Sequence, residues 1–261
     1  MFANARLLSQ LALLIGVKSA LKILADSLRP ASTFWWYDVL TERVKNKPAL
    51  EIGGPSEIFA RRIPIYPLLE RCDIVDFSPS TIWNKSSEST PSSSVRPPAA
   101  GRKYLAEATA LAEAIGMRYG VVLSSHVLEH IANPIRALKE WRHMLTGSGT
   151  IIVVVPEGGR TFDHLRPTTT LIHFDCDERN DVGEDDSTHF DEVLRLHDLR
   201  MDRGAGSRED FERRCAANLM FRALHHHVFS AGSLEGLLRR AGLNPVAIAR
   251  VVPSNLLAIC D

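Results

Sequence analysis

Apolar residues along this chain recur with two different periods, and the change from one to the other outlines the fold. From Phe2 to Leu28, the residues Leu7, Leu8, Leu11, Leu14, Ile15, Leu21, Leu24 and Leu28 return at near-helical spacing, which predicts an amphipathic helix. Its longest apolar run, Leu11 to Val17, is too short for the roughly twenty residues that a membrane span needs. An aromatic cluster, Phe34-Trp35-Trp36-Tyr37, precedes a predicted helix through Lys45 and reads as core or as a cap over a cleft. From Ala49 onward, short apolar-rich runs alternate with helical patterns: Ala49–Ile52, Cys72–Phe77, Gly120–Leu123 and Ile151–Val155, the last two without a polar side chain. Runs apolar at every position suit parallel strands covered on both faces. Pro134 opens a helix carrying Ile135, Leu138, Trp141 and Leu145 on one face, with Gly147 to Gly149 expected to break it. A last helix through Leu234, Leu237, Leu238 and Ala241 closes at Gly242, and Val246–Val252 and Asn255–Cys260 read as two final strands. The pattern is that of an α/β protein.

Composition changes this picture at two places. Residues 84–103 are rich in Ser and Pro and cannot bury enough apolar surface to fold alone, so they are expected as a surface loop between the second strand and a short third strand at Lys103–Leu105. Ala106 to Ile115 then reads as helix or loop. Beyond Pro156 the chain turns polar, and six of its ten histidines fall between His164 and His226. The 31 basic and 31 acidic residues cancel, so no global field favours nucleic acid or an anionic membrane, and basic strips with interleaved aromatics are missing. Four widely separated cysteines form no C-x-x-C pair, which suggests neither a disulfide framework nor a thiolate zinc site and fits the cytoplasm. Arg6, Lys18, Lys22 and Arg29 allow the N-terminal helix to touch a membrane surface, as an alternative to packing on the domain or on a second subunit of a homodimer.

Candidate chemistry begins at Ala49-Leu50-Glu51-Ile52-Gly53-Gly54-Pro55-Ser56, a strand running into a glycine turn with Ser56 as the expected N-cap of a helical segment at Glu57 to Arg61. Such a turn aims backbone N–H groups at a ligand. Asp76 ends the next strand, at the spacing from which a carboxylate accepts from ribose hydroxyls. Together they predict an adenosine-type site. Farther on, Tyr119 to His130 runs from a strand into Ser124-Ser125-His126-Val127-Leu128-Glu129-His130, and Gly147 to Pro156 follows a helix.

These stretches, in this order, resemble the class I S-adenosylmethionine-dependent methyltransferases, in particular the broad type 11 group. The likeness covers about Lys47 to Pro156, with a weaker echo in His226-His227-Val228-Phe229-Ser230. It departs from the group's G-x-G turn at Pro55, which removes a backbone donor. The resemblance implies a Rossmann-like, doubly wound sheet of seven strands with the last strand antiparallel. It further implies an N-terminal helical extension or cap over residues 1–46, a methyltransferase domain over 47–261 and a substrate lid over 157–229. It implies S-adenosylmethionine as cofactor, S-adenosylhomocysteine as product, and cofactor contacts from Glu51, Gly53, Gly54, Pro55, Ser56, Asp76, Phe77, Glu107, Ser124 and His126.

Methyl transfer from a sulfonium asks mainly for positioning, and a hydroxyl acceptor adds the need for a general base. Histidine suits that role, so His189 and His227 are the candidate bases and Asp163 a catalytic or orienting partner. Arg166, His173 and Asp175 are the candidate acceptor contacts. His173-x-Asp175, Asp186 to His189 and His225-His226-His227 also carry donor atoms for a divalent metal, but no spacing matches a known signature, so no metal site is assigned. The expected activity is O-methylation of a sugar, glycan precursor or related small molecule in polysaccharide or secondary-metabolite biosynthesis. Two rivals stand beside it. A nicotinamide-dependent oxidoreductase would carry a full G-x-G-x-x-G, which Pro55-Ser56-Glu57 lacks; a silent methyltransferase-fold partner subunit would not bind the cofactor.

Overall fold

The computed structural model describes residues 5–79, 100–202 and 204–261, so most of the Ser/Pro-rich stretch lies outside the described residues. The apolar runs form strands β1 (Pro48–Ile52), β2 (Arg71–Asp76), β3 (Ala100–Leu105), β4 (Tyr119–Ser125), β5 (Leu145–Pro156), β6 (Pro245–Val251) and β7 (Asn255–Cys260). They make one seven-stranded sheet in the order β3-β2-β1-β4-β5-β7-β6. β1 to β5 are parallel, and β7 runs antiparallel between β5 and β6. All seven residues of β4 and all six of β7 are buried, because helices cover both faces.

The helices are α1 (Ala5–Ile15), α2 (Val17–Ser27), α3 (Trp35–Val44), α4 (Pro134–His143), α5 (Leu171–Arg179), α6 (Phe190–Leu196), α7 (Arg208–Ala216), α8 (Asn218–Phe221) and α9 (Ala231–Arg240). α4 and α9 pack Trp141, Leu234 and Leu237 onto one face of the sheet with Leu50, Val122 and Ile151. α3 packs Trp36, Leu40 and Val44 onto the other face with Val121, Ile152 and Ile259. The aromatic cluster therefore belongs to the core. Phe34 stacks on Trp36 with centroids 5.7 Å apart, while Trp35 faces out.

Three local expectations are corrected. The N-terminal segment is two helices rather than one, because Gly16 adopts φ +84° and breaks the run. Leu11, Ala20 and Ile23 pack together with Val252, while Leu13, Val17, Leu21 and Leu28 stay exposed. Among the described residues no helix is long and apolar enough to cross a membrane. α4 ends at His143, and Leu145 already pairs with Tyr119, so Gly147 to Gly149 belong to an overhanging strand rather than to a helix stop. Ser56 caps nothing, since the helical segment starts at Ile58 after Glu57. Other signals hold: Asn133 Oδ1 accepts from Arg136 N–H at 3.0 Å ahead of Pro134, and Gly242 ends α9 at φ +77°.

The end of β1 is organised from beneath. Glu51 is fully buried, and its carboxylate accepts from the Tyr66 hydroxyl at 2.6 Å and from Ser56 N–H at 3.1 Å, with Cys72 Sγ 4.0 Å away. Burial pushes its carboxyl up to about 7, against the hydrogen bonds from Tyr66 and Ser56 that favour the charged form. The folded state thus holds a proton between pH 4.5 and about 7 that the unfolded chain releases. Stability should therefore fall as pH rises through this window, by up to about 3 kcal/mol from this group. Urea unfolding from pH 4.5 to 8 should show that slope in the natural protein and a flatter profile in Glu51→Gln; equal slopes would remove Glu51 as its source.

Candidate active site

Parallel strands present their carboxyl ends on one side of the sheet, and ligands bind there in doubly wound folds. A cavity of about 700 Å³ opens at these ends. Its sheet-side wall is made by Gly53, Pro55, Ser56, Asp76 and Phe77. Ser125, His126, Glu129 and His130 form its floor after β4, and Arg160, Thr161, Phe162, Glu184, Arg222 and His225 close the opposite side.

The glycine turn is shaped by packing. Gly53 has φ +73°, and a Cβ there would lie 2.5 Å from Val127 Cγ2; at Gly54 a Cβ would lie 2.3 Å from Glu51 Cδ. Gly53 N–H donates to Val75 O at 2.8 Å, Ser56 N–H donates to Tyr66 and Glu51, and Pro55 has no N–H. Within Gly53 to Ser56, Gly54 carries the one backbone N–H not engaged by these bonds. Glu51 and Gly54 lie beneath the cavity wall, which places Glu51 as the support of the turn rather than a surface of the cleft.

Asp76 is largely buried at the tip of β2, where its Oδ1 accepts from Phe77 N–H at 2.9 Å. Glu107 lines the cavity and is paired with Arg222, 2.9 Å away. Arg222 also reaches Glu184 at 2.9 Å and lies over the Phe77 ring at 5.2 Å. One guanidinium therefore joins Glu184 to the wall at Phe77. Ser124 is fully buried behind the wall, and its neighbour Ser125 reaches the cavity instead, because adjacent residues of a strand face opposite ways. His126 adopts φ +55°, with Nδ1 2.9 Å from Ser125 Oγ and Nε2 3.0 Å from Asn255 Oδ1. The carbonyl oxygen places the proton on Nε2, so Nδ1 accepts from Ser125.

The histidine that faces this cavity from residues 157–229 is His225. Its Nδ1 lies 2.6 Å from Asp163 Oδ2, so Nδ1 carries the proton and Nε2 keeps a lone pair. Asp163 Oδ1 accepts from Arg166 at 3.0 Å. Burial alone would raise the Asp163 carboxyl, but His225 and Arg166 outweigh it and hold the group below the ordinary carboxylate range. Burial likewise opposes charge on His225, yet Asp163 outweighs it and raises the imidazole above its ordinary value. Glu129 is fully buried, both its carboxylate oxygens lack a hydrogen-bond partner, and burial raises its carboxyl. His130 donates Nδ1–H to Leu224 O at 3.2 Å, and burial, then His225, lowers it well below its ordinary value.

The remaining expected residues lie elsewhere. Arg166 is not placed to meet an acceptor: its guanidinium is buried and donates to Glu192, Asp163 and the carbonyls of His225 and His226. Asp175 sits at the surface in an ion pair with Arg240 at 2.7 Å. His173, His189 and His227 do not line the cavity but gather with one another away from it, with His173 Nε2 3.2 Å from His189 Nε2. Burial, then the neighbouring His226, brings His189 down to about 4 and takes His227 well below its ordinary value. The sequence reading passed over His225, Arg222, Glu184 and Phe162 as site residues. The run His225-His226-His227 was the available signal for the first, but adjacency along the chain does not say which of three rings meets the cleft.

A family model described as a methyltransferase domain matches residues 35–248. Curated proteins return no match to the sequence. Among solved structures, the chain is similar to the N-methyltransferase NodS from Bradyrhizobium japonicum WM9, at 10% identity over 88% of this chain and 92% of that one, with a TM-score of 0.46. It is also similar to DhpI in complex with SAH, at 14% identity over 98% and 95% with a TM-score of 0.45. A SAM-dependent methyltransferase from Aquifex aeolicus is similar at 10% identity over 87% and 89%, with a TM-score of 0.45. With the family model spanning most of the chain and the sheet in the order β3-β2-β1-β4-β5-β7-β6, this protein belongs to the class I S-adenosylmethionine-dependent methyltransferases.

Proposed function

We propose that this methyltransferase acts on a hydroxyl group of a sugar, glycan precursor or related small molecule. The observation that carries the reading is one cavity with the glycine turn and Asp76 on its sheet side and the His225–Asp163 pair on its lid side. The residues present fit the cofactor: Gly53, Pro55 and Ser56 line the cavity beside Asp76, which offers a carboxylate at the tip of β2. Gly53, Gly54, Pro55 and Ser56 hold the methionine end, Asp76 the ribose, and Phe77 and Glu107 the base, with His126 below and Ser124 supporting it. S-adenosylmethionine supplies an electrophilic methyl on a positively charged sulfur.

The protein's own work is to hold the acceptor and take its proton. Asp163 holds the His225 Nδ1 proton, so the ring keeps a lone pair at Nε2 for the acceptor hydroxyl. Arg166 fixes Asp163 in turn, which makes both positioning residues. Arg160 and Glu129 offer polar contacts and Phe162 an apolar face, a combination that suits a hydroxylated ring.

Calorimetric titration should show micromolar binding of S-adenosylmethionine and S-adenosylhomocysteine and none of NAD. Asp76→Ala should weaken both sulfur ligands roughly tenfold to hundredfold, as expected for losing a hydrogen bond to a charged group. Failure to bind either would favour a silent partner subunit. With a panel of free sugars and nucleotide sugars as acceptors and S-adenosylhomocysteine release as readout, His225→Gln should lower turnover by about 10² to 10⁴ and leave cofactor affinity unchanged. Unchanged turnover would remove His225 as the base.

A further inference from the structure

Away from the cavity, three segments of residues 157–229 bring polar side chains to one point for which neither the fold nor methyl transfer gives a use. His173 and Asp177 stand one turn apart on α5, His189 immediately precedes α6, and His227 lies on the segment leading to α9. One ring nitrogen from each of His173, His189 and His227 falls within 4.8 Å of the others. His173 Nε2 is 3.2 Å from His189 Nε2 and 3.4 Å from Asp177 Oδ2, while His227 Nε2–H donates to Ala132 O at 3.2 Å and leaves Nδ1 as the nitrogen with a free lone pair. Asp177 Oδ2 and His227 Nδ1 are buried without a hydrogen-bond partner. A buried polar atom left alone costs on the order of 1–3 kcal/mol, so two of them together with three converging imidazoles need an explanation.

We propose that His173, Asp177, His189 and His227 form a structural zinc site that ties the segments of this insertion to one another. Zinc takes nitrogen ligands at about 2.0–2.1 Å in a tetrahedron, which sets ligand atoms roughly 3.3–3.4 Å apart. The separations of 3.2 Å between His173 and His189 and 3.4 Å between His173 and Asp177 match that spacing before any adjustment. Three neutral imidazoles and one carboxylate fill four positions, the closed set of a structural site rather than the open set of a catalytic one. The surroundings also hold the ligands in place. Asp186 Oδ2 accepts from Thr188 Oγ1–H at 2.8 Å and lies 4.0 Å from His189 Nε2, bracing the turn before His189. His226 Nε2 accepts from Asn218 Nδ2 at 3.3 Å, which leaves its Nδ1 proton facing Asp186 Oδ2 at 3.7 Å. Orienting partners of this kind are a regular part of metal sites. The consequence is mechanical. His227 is two residues from His225, so an ion that anchors α5, the turn before α6 and His227 also sets where the lid presents His225.

The test uses the untagged full-length protein, so that no affinity tag supplies histidines. Elemental analysis after growth with added zinc should find one zinc per chain, and removal with a chelator should lower the melting temperature. Titrating the stripped protein with Co²⁺ should give intense tetrahedral d–d bands that saturate at one equivalent. His173→Ala and Asp177→Asn should weaken Co²⁺ binding by more than about tenfold, the least that even outer partners contribute, while His143→Ala, outside the cluster, should leave it unchanged. His173 is partly exposed, so its variant is expected to fold, and circular dichroism checks this. Folded natural protein that holds no zinc and gives no saturable Co²⁺ spectrum would overturn the site, even if it transfers methyl groups. Zinc binding lost in the two ligand variants upholds it, even if no acceptor is found.

Discussion

The hydrogen bond from the Tyr66 hydroxyl to the buried Glu51 carboxylate is the contact from which the glycine-turn side of the cavity hangs. A carboxylate taken out of water is costly unless its oxygens find donors. Glu51 finds them in Tyr66 and in Ser56 N–H, and so pulls the chain after β1 into a fixed turn. Gly54 follows from that arrangement, because Glu51 occupies the space a side chain would need, and Gly53 follows from the approach of Val127. The glycines serve the packing first and the ligand through it. With the turn fixed, Asp76 on the neighbouring strand and His126 after β4 fall at the same level of the parallel sheet and face one cavity.

The polar stretch over residues 157–229 is held by charge. Arg166 has no access to solvent and is held by Asp163, Glu192 and two carbonyl oxygens, and Asp163 in turn holds His225. A buried arginine with these partners is costly to disturb, since removal of one leaves an uncompensated charge. Arg222 makes the second tie, pairing Glu107 from the sheet side with Glu184 from this stretch and covering Phe77. Both networks use residues distant in sequence, and both end at the cavity. They give the polar insertion a defined position over the sheet without a large apolar core of its own, for its own cluster contains little beyond Val193, Ala205, Phe211, Cys215 and Leu224.

Histidines in this region divide by where their rings point rather than by where they stand in the chain. His225 meets the cavity, His226 turns to Asn218 and Asp186, and His227 joins His173 and His189. Three consecutive residues thus serve three neighbourhoods. Arg166 and Asp175 show the same limit from the other side: each is a plausible ligand contact by residue type, and each is spent on an internal or surface ion pair.

By itself the sequence determined the sheet, its glycine turn and the acid at the end of the second strand. These depend on local patterns: continuous apolar runs for strands covered on both faces, a helical period for α4 and α9, glycines and prolines at the boundaries. The N-terminal break at Gly16 and the early start of β5 at Leu145 escaped this reading because apolar spacing alone does not reveal a backbone turn or a strand register. Which polar side chains share a site was decided only by the tertiary structure. His225 and Asp163 lie 62 positions apart, and Arg222 and Glu107 lie 115 apart. Hydrogen bonds act over about 3 Å, so their partners are chosen by packing of the whole chain, and no local pattern records that choice.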